Sequence, residues 1–290
     1  MQNIRIIKRN ELFIMNEGRL FSEDRIQETM LGPLWARAKY SKLYPEFLDD
    51  PKAREIIAKI DYDFSEIENH LGEWRGLGLL ARAKNFDNAF KRFIKDFPEA
   101  TLINIGAGLD TTFSRVDNSK IKCYNLDLPE AAQYRKKLIP DTDRNKTLAK
   151  SAFDYDWFNE IEFEIGKGIF FIAGGFVYYF TKEKIKDLLI SMANYFMGGY
   201  MIFDATSKLA NKIINRRAKK AGEDDIRFHF GVGNPERTFS QWSSKIELKE
   251  WYTMWSKIEI DSEWHEKTIK AIKRSEKVKA AKIIHLKFIN

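Results

Sequence analysis

From Thr101 onward, short β-rich runs alternate with segments of helical character, and this alternation constrains the fold more than any other feature of the sequence. The β-rich runs are 101–105, 121–126, 146–152, 168–173 and 199–205. The clearest helical segment is 182–196, which Thr181 precedes as a candidate N-cap. Parallel strands are joined by such helical crossovers, which cover the sheet on both faces. The pattern therefore predicts an α/β protein with a doubly wound, mostly parallel sheet.

The regions on either side of this alternation complete the predicted organisation. Residues 23–95 carry apolar side chains at helical spacing, and 279–289 has the pattern of a final strand. Between 207 and 255 the pattern is less regular and includes a basic amphipathic helix over 209–221. We predict one domain over 1–290, which consists of a helical cap (20–97), a core (101–206), an inserted lid (207–255) and a final helix and strand (256–290).

The cysteine, histidine and hydropathy patterns exclude several classes of protein. The single cysteine, Cys123, rules out an internal disulfide, and the four histidines lack metal-ligand spacing, so we expect no metal site. The longest nearly apolar run, 168–180, is much shorter than the roughly 20 residues of a membrane helix. The N-terminal residues show no apolar stretch or cleavage site of a secretory signal. We expect a cytoplasmic protein with no membrane partner.

The net charge of +7 is unevenly distributed. Residues 207–290 hold 19 basic and 11 acidic residues, whereas residues 1–206 are nearly balanced. Such asymmetry can mark a nucleic-acid surface, but many of these lysines alternate with acids at helical spacing, which is typical of a solvated helix face. We therefore expect no nucleic-acid partner.

The first β-rich run leads into Gly106-Ala107-Gly108. Glycines permit a tight turn and a close approach of a ligand to the backbone, although a structural turn has the same composition. Nineteen residues after Gly108 the second run ends at Asp127, where a carboxylate can accept hydrogen bonds from both hydroxyls of a ribose. The third run ends near 151–154, where an adenine could lie against an apolar side chain. Together these features predict a nucleotide-type site.

Two cofactors are compatible with this arrangement. A dinucleotide fingerprint requires a third glycine, and Thr111 occupies that position here. S-adenosylmethionine (SAM) has a ribose and an adenine but no phosphate, so two glycines and one carboxylate suffice. The residues favour SAM, and an NAD-dependent oxidoreductase is the alternative. In a purely structural role, Asp127 would cap the helix before Pro129.

Several blocks of the sequence resemble the leucine carboxyl methyltransferase family, which includes polyketide O-methyltransferases of the tetracenomycin type. The most specific blocks are TLINIGAGLDTTFSRV (101–116) and YNLDLPEAAQYRKKL (124–138). The others are PLWARAKYS (33–41), IIAKIDYDF (56–64), SAFDYDWFNEI (151–161), FFIAGGFVYYF (170–180) and YMIFDATS (200–207). The resemblance implies a class I, Rossmann-like methyltransferase fold with a seven-stranded sheet, and transfer of a methyl group from SAM to an oxygen, usually of a carboxylate.

The resemblance also implies roles for particular residues. Arg82 would pair with the cofactor carboxylate, for which a guanidinium is well shaped. The remaining residues of the implied cofactor site are Gly106, Ala107, Gly108, Asp127, Leu128, Ala152, Phe153 and Gly174. The sequence departs from the family at Ala173-Gly174-Gly175, where many members have Ala-Glu-Gly. A protein that binds SAM or its product but has lost catalysis is therefore a further alternative.

The methyl acceptor is expected to be a small-molecule or peptide carboxylate, or a hydroxyl. A carboxylate is ionised at neutral pH and needs no general base, whereas a hydroxyl would benefit from one. Tyr178 and His229 are the candidates for such a group. The expected acceptor pocket contains Phe176, Tyr178, Tyr179 and the possible carboxylate-binding cations Arg37 and Arg227.

Overall fold

The computed structural model describes residues 4–5, 23–220 and 227–290, and nine strands lie within them. Their bounds are β1 (Ile4–Arg5), β2 (Ile60–Asp61), β3 (Thr101–Ile105), β4 (Lys122–Asp127), β5 (Asn145–Ala149), β6 (Ile169–Ala173), β7 (Tyr200–Thr206), β8 (Ile246–Thr253) and β9 (Ala281–Phe288). β1 pairs with β2, and the other seven form one sheet in the order β5-β4-β3-β6-β7-β9-β8. The strands from β5 to β7 in this order are parallel, whereas β9 is antiparallel to β7 and β8. The predicted seven-stranded, mostly parallel sheet is confirmed.

Helices flank this sheet. In the described residues they are α1 (Glu23–Leu43), α2 (Pro51–Ile57), α3 (Ser65–Asp96), α4 (Thr112–Val116), α5 (Pro129–Leu138), α6 (Lys182–Tyr195), α7 (Lys208–Lys220), α8 (Pro235–Ser240) and α9 (Glu266–Lys277). None of these helices has a stretch both long and apolar enough to cross a bilayer. Residue 221, the predicted end of the basic helix, lies outside the described residues.

The strand order reverses between β3 and β6. From β3 the chain proceeds to β4 and β5 on one side, and then returns to β6 on the other side. In open parallel sheets this reversal leaves a crevice beyond the carboxyl ends of the two central strands, and ligands bind there. The fold therefore directs attention to the loops that follow Ile105 and Ala173.

Alternation along β6 shows how the sheet buries both faces. Phe170 and Ile172 face α3 and pack with Phe90 of that helix, whereas Phe171 packs on the opposite face with Phe196 at the end of α6. Successive side chains of a strand point to opposite faces, so a strand buried on both sides is apolar throughout. This accounts for the continuous apolar run in the sequence.

Helix α3 forms the longest part of the predicted helical cap, over Ser65–Asp96. Within this helix, Gly76 serves the packing of the cap. A Cβ atom built on Gly76 would lie 2.0 Å from the Tyr40 ring of α1. The helix bends at Gly72, whose φ of 56° and ψ of 174° are not helical. Glycine here permits the bend and the close approach of two helices.

Two predicted boundaries are wrong. The predicted strand over 146–152 ends at Ala149 because the chain turns there, and Asp154 N–H donates to Ser151 O. The predicted lid (207–255) includes β8, which pairs with β9 and forms one edge of the sheet. Charged residues within β8 masked its strand pattern, as is common for edge strands. Of the described lid residues, 207–220, 227–245 and 254–255 lie outside the sheet.

Candidate functional site

A cavity of about 820 Å³ lies at the carboxyl ends of β3, β4 and β6, where the strand order reverses. The loops after these strands form one wall. Helix α1 contributes Met30, Pro33 and Arg37 to the opposite wall, and α3 contributes Leu79, Arg82, Ala83 and Phe86. The helical cap thus covers the crevice that the sheet creates.

The loop after β3 exposes backbone to this cavity. Gly106 and Gly108 have φ values of 66° and 45°, which favour glycine. A Cβ atom at Gly106 would lie 2.7 Å from the Phe176 ring, and one at Gly108 would lie 3.0 Å from Met30 Cγ. Both positions therefore require glycine for conformation and for space.

Asp127 lies beside this loop, at the end of β4. Its Oδ2 atom accepts a hydrogen bond from Gly108 N–H at 2.6 Å, and its Oδ1 atom accepts one from Leu128 N–H at 2.8 Å. Burial raises the pKa of Asp127, and the two amide donors act in the opposite direction. Each carboxylate oxygen keeps a lone pair that can accept a hydrogen bond from a ligand.

Aromatic side chains form the wall next to Asp127. The Phe180 ring centroid lies 4.6 Å from that of Phe153 and 4.8 Å from that of Phe176. Lys184 Nζ lies 5.8 Å from the Phe153 centroid. Ala152 and Gly174 complete this region of the lining. Such a wall offers flat apolar contact to a ring system.

Arg82 provides a buried positive charge at the cavity. Its Nη1 atom lies 3.5 Å from Asp204 Oδ2. Burial is the largest single influence and favours the neutral form, but the combined fields of Asp204 and the other acidic groups nearby raise the pKa of Arg82 above its ordinary value. Arg82 therefore presents a permanent charge to the cavity.

Tyr178 and Tyr179 lie close to Arg82. Burial raises the pKa of both hydroxyls. The Tyr178 ring stacks on Phe228 with centroids 4.1 Å apart, and Tyr178 O accepts a hydrogen bond from His229 N–H. The segment after α7 is thereby attached to the loop that follows β6.

Arg37 lines the cavity, and two of its donors are already engaged. Nε donates to Asp50 Oδ2 at 3.1 Å, and Nη2 donates to Leu109 O at 2.9 Å. Asp50 also accepts hydrogen bonds from Arg115 and from the Thr111 hydroxyl. This buried network joins the cap to the loop that follows β3. The positive charge of Arg37 is thereby paired with the carboxylate of Asp50.

The structure brings the nine predicted cofactor residues to one cavity, together with Arg37, Phe176, Tyr178 and Tyr179 of the predicted acceptor site. It does not bring Arg227 and His229 there: both are exposed and absent from the lining. Their neighbour Phe228 makes the aromatic contact instead. Within the described part of the chain, no group of three or more His, Cys, Asp or Glu side chains is arranged to bind a metal.

Sequence reasoning missed Asp204 and Lys184. Asp204 lies within the apolar run of β7, near its carboxyl end, and a single acid in a buried strand was the available signal. Lys184 belongs to the exposed first turn of α6 and gave no distinguishing pattern.

Comparisons with known proteins agree with this geometry. The model of the leucine carboxyl methyltransferase family matches residues 30–193, which is more than half of the chain. The tetracenomycin polyketide synthesis O-methyltransferase TcmP of Streptomyces glaucescens is 26% identical over 255 residues, which cover 86% of this chain and 91% of TcmP.

Solved structures resemble the fold at low sequence identity. A DUF574 family protein of Streptomyces avermitilis has a TM-score of 0.57 and 13% identity, with 87% of this chain and 96% of that chain covered. The plantazolicin methyltransferase BpumL, solved with a triazolic desmethylPZN analogue and S-adenosylhomocysteine (SAH), has a TM-score of 0.50 and 11% identity, with 93% of this chain and 100% of that chain covered. The chain belongs to the leucine carboxyl methyltransferase family and is a SAM-dependent methyltransferase.

Proposed function

We propose that this protein transfers a methyl group from SAM to a carboxylate oxygen of a small, mainly apolar acceptor. The main support for the proposal is the position of the Asp127 carboxylate. The amides of Gly108 and Leu128 fix it at the wall of the cavity, and the Arg82 guanidinium lines the same cavity. A ribose diol and an amino-acid carboxylate are the groups that this pair of charges would recognise.

The residues of the cavity fit the parts of the cofactor. Asp127 would accept hydrogen bonds from the ribose hydroxyls, and Phe153, Ala152 and Leu128 would contact the adenine. Arg82 would pair with the carboxylate, while Gly106 and Gly108 expose backbone to the methionine part. Bound SAM supplies an electrophilic methyl group on a sulfonium.

The contribution of the protein is to hold the acceptor in line and to exclude water. Such positioning accounts for a large part of the barrier in a displacement reaction. The cap supports exclusion, because α1 and α3 lie over the crevice and contribute Met30, Leu79 and Phe86 to its wall. These apolar residues favour an apolar acceptor, and the naming of TcmP for polyketide synthesis supports a compact molecule of this kind.

The ionisable side chains that line the cavity favour a carboxylate over a hydroxyl as the methyl acceptor. Among the described residues that line the cavity there is no histidine. Burial raises the pKa of Tyr178 and Tyr179, so neither phenol is a ready base at neutral pH. A carboxylate has a reference pKa near 4 and is already a nucleophile there. Peptide carboxylates share this chemistry, but the covered crevice favours a small molecule.

The choice of cofactor is tested by calorimetry on the full chain with SAH and with NAD. We expect SAH to bind and NAD not to bind. Binding of NAD alone would contradict the proposal and favour the oxidoreductase alternative.

The choice of acceptor is tested with methyl-labelled SAM and two matched aromatic compounds, one with a carboxylate and one with a phenol. A methyl ester releases labelled methanol in alkali, whereas a methyl ether does not. We expect base-labile label on the carboxylic acid. Base-stable label, or SAH binding without transfer to any acid or phenol, would contradict carboxylate methylation.

A further inference from the structure

Asp204 contacts Arg82 but does not itself line the cavity. Its side chain projects from β7 and is almost fully buried. Oδ1 accepts a hydrogen bond from Gly175 N–H at 2.6 Å, and Oδ2 lies 3.5 Å from Arg82 Nη1. One carboxylate therefore joins Arg82 to the turn that follows β6.

Position 174 of this turn, where the family resemblance implies a glutamate in many members, is directed at the same guanidinium. A Cβ atom built on Gly174 would lie 3.5 Å from Arg82 Nε. An acid at either position, 174 or 204, would thus supply negative charge to one arginine. In this chain, the acid on the neighbouring strand is present and the acid on the turn is absent.

We infer that Asp204 is the positioning residue that orients Arg82 toward the amino-acid end of SAM and supplies the charge missing at Gly174. The inference rests on the proposed function of the cavity. A buried guanidinium needs a partner, and a partner fixed by Gly175 N–H holds it in one orientation.

The alternative partner of Arg82 shows why a loss of Asp204 would matter. Asp110 is another carboxylate whose field acts on Arg82, and it lies within the network of Arg37 and Arg115. Without Asp204, Arg82 would be drawn toward Asp110 and would have to reorient when the cofactor binds. The cost would appear in the affinity for ligands that carry the amino-acid group.

The test compares two ligands by calorimetry. SAH carries the amino-acid group, whereas 5′-methylthioadenosine has the same nucleoside without it. Asp204→Asn keeps an oxygen for Gly175 N–H and removes the charge. We expect its affinity for SAH to fall about tenfold and its affinity for methylthioadenosine to stay within about twofold. Asp204→Ser, which is smaller, should behave in the same way.

Equal weakening of both ligands would assign Asp204 a general structural role and overturn the inference. Unchanged or tighter SAH binding would overturn it too, because Asp204 would then be neutral or a competitor for Arg82. If the unaltered protein binds neither ligand, the proposed function itself fails.

A double-mutant cycle tests whether Asp204 acts through Arg82. Arg82→Met should weaken SAH binding, and the combination with Asp204→Asn should bind SAH no more weakly than Arg82→Met alone. A further tenfold loss in the double variant would show an effect independent of Arg82 and would contradict the inference.

Discussion

The Oδ2 atom of Asp127 accepts a hydrogen bond from Gly108 N–H at 2.6 Å, so two residues 19 positions apart in the sequence form one unit at the crevice. Leu128 N–H holds the other carboxylate oxygen. The carboxylate is therefore oriented before any ligand binds, and less conformational entropy remains to be lost on binding.

Gly108→Ala should weaken SAH binding at least tenfold and reduce the free energy of unfolding by about 1–2 kcal/mol. The φ of 45° disfavours a side chain, and the new methyl group would approach Met30 Cγ to 3.0 Å. Calorimetry and urea unfolding measure the two effects. Gly233→Ala is the matched control, because nothing lies within 4 Å of its Cβ position. Equal behaviour of the two variants would contradict the role of this loop.

Gly76→Ala should reduce the free energy of unfolding by about 1–3 kcal/mol, because its methyl group would overlap the Tyr40 ring. Gly78→Ala lies on the same helix, where a Cβ atom meets nothing within 4 Å. Alanine there should be neutral or stabilise the protein by up to about 1 kcal/mol. Urea unfolding of both variants measures the difference, and a stable Gly76→Ala would show that α1 and α3 do not pack through this glycine.

Arg37→Met should reduce the free energy of unfolding by about 3 kcal/mol, because it removes a charge from a buried network and leaves Leu109 O without this donor. Arg227→Met should leave it unchanged, since Arg227 is exposed. Chemical unfolding compares the two. If Arg37→Met is as stable as the unaltered protein, the structural role of Arg37 is contradicted, and Arg37 would again be a candidate to bind the acceptor carboxylate.

His285 should make the protein less stable as the pH falls. Burial lowers the pKa of His285 to about 4, while the nearby Glu250 carboxylate opposes that shift. Between about pH 6.5 and pH 4 the unfolded chain binds a proton at His285 that the folded chain excludes, so stability decreases through this window and His285 adds no further loss below it.

The loss from His285 should amount to about 3 kcal/mol. Urea unfolding from pH 4 to pH 7 measures it. His285→Gln should flatten part of this dependence, whereas His70→Gln, at an exposed position, should not. Identical pH profiles for His285→Gln and the unaltered protein would show that folding does not lower the pKa of His285 and would contradict this prediction.

The arrangement of Gly106, Gly108 and Asp127 could be predicted because parallel strands bring their carboxyl ends together. Two residues at the ends of adjacent strands therefore meet wherever the sheet forms. The position of Arg82 at the site was predicted only from the family resemblance. A single charged residue in a helix does not indicate whether its side chain faces a ligand site or solvent.

Tertiary contacts explain what the sequence did not reveal. Arg37 matched the chemistry of a carboxylate site, but the sequence could not show that Asp50 and Leu109 engage its donors. Asp204 was overlooked because its partners, Arg82 and Gly175, belong to other elements. Strand β8 was not predicted because its charged residues interrupt the apolar pattern. Its partner strand β9 begins 28 residues after β8 ends, so no local pattern indicated their pairing.

The most direct test of the account is the affinity of Asp127→Asn for SAH, measured by calorimetry beside Asp143→Asn, an exposed aspartate outside the cavity. The amide would remove the charge and place a donor against Gly108 or Leu128 N–H. We predict that Asp127→Asn binds SAH about 10- to 100-fold more weakly than the unaltered protein, and that Asp143→Asn binds equally well. Affinity of Asp127→Asn within twofold of the unaltered protein would contradict the assignment of this cavity as the SAM site.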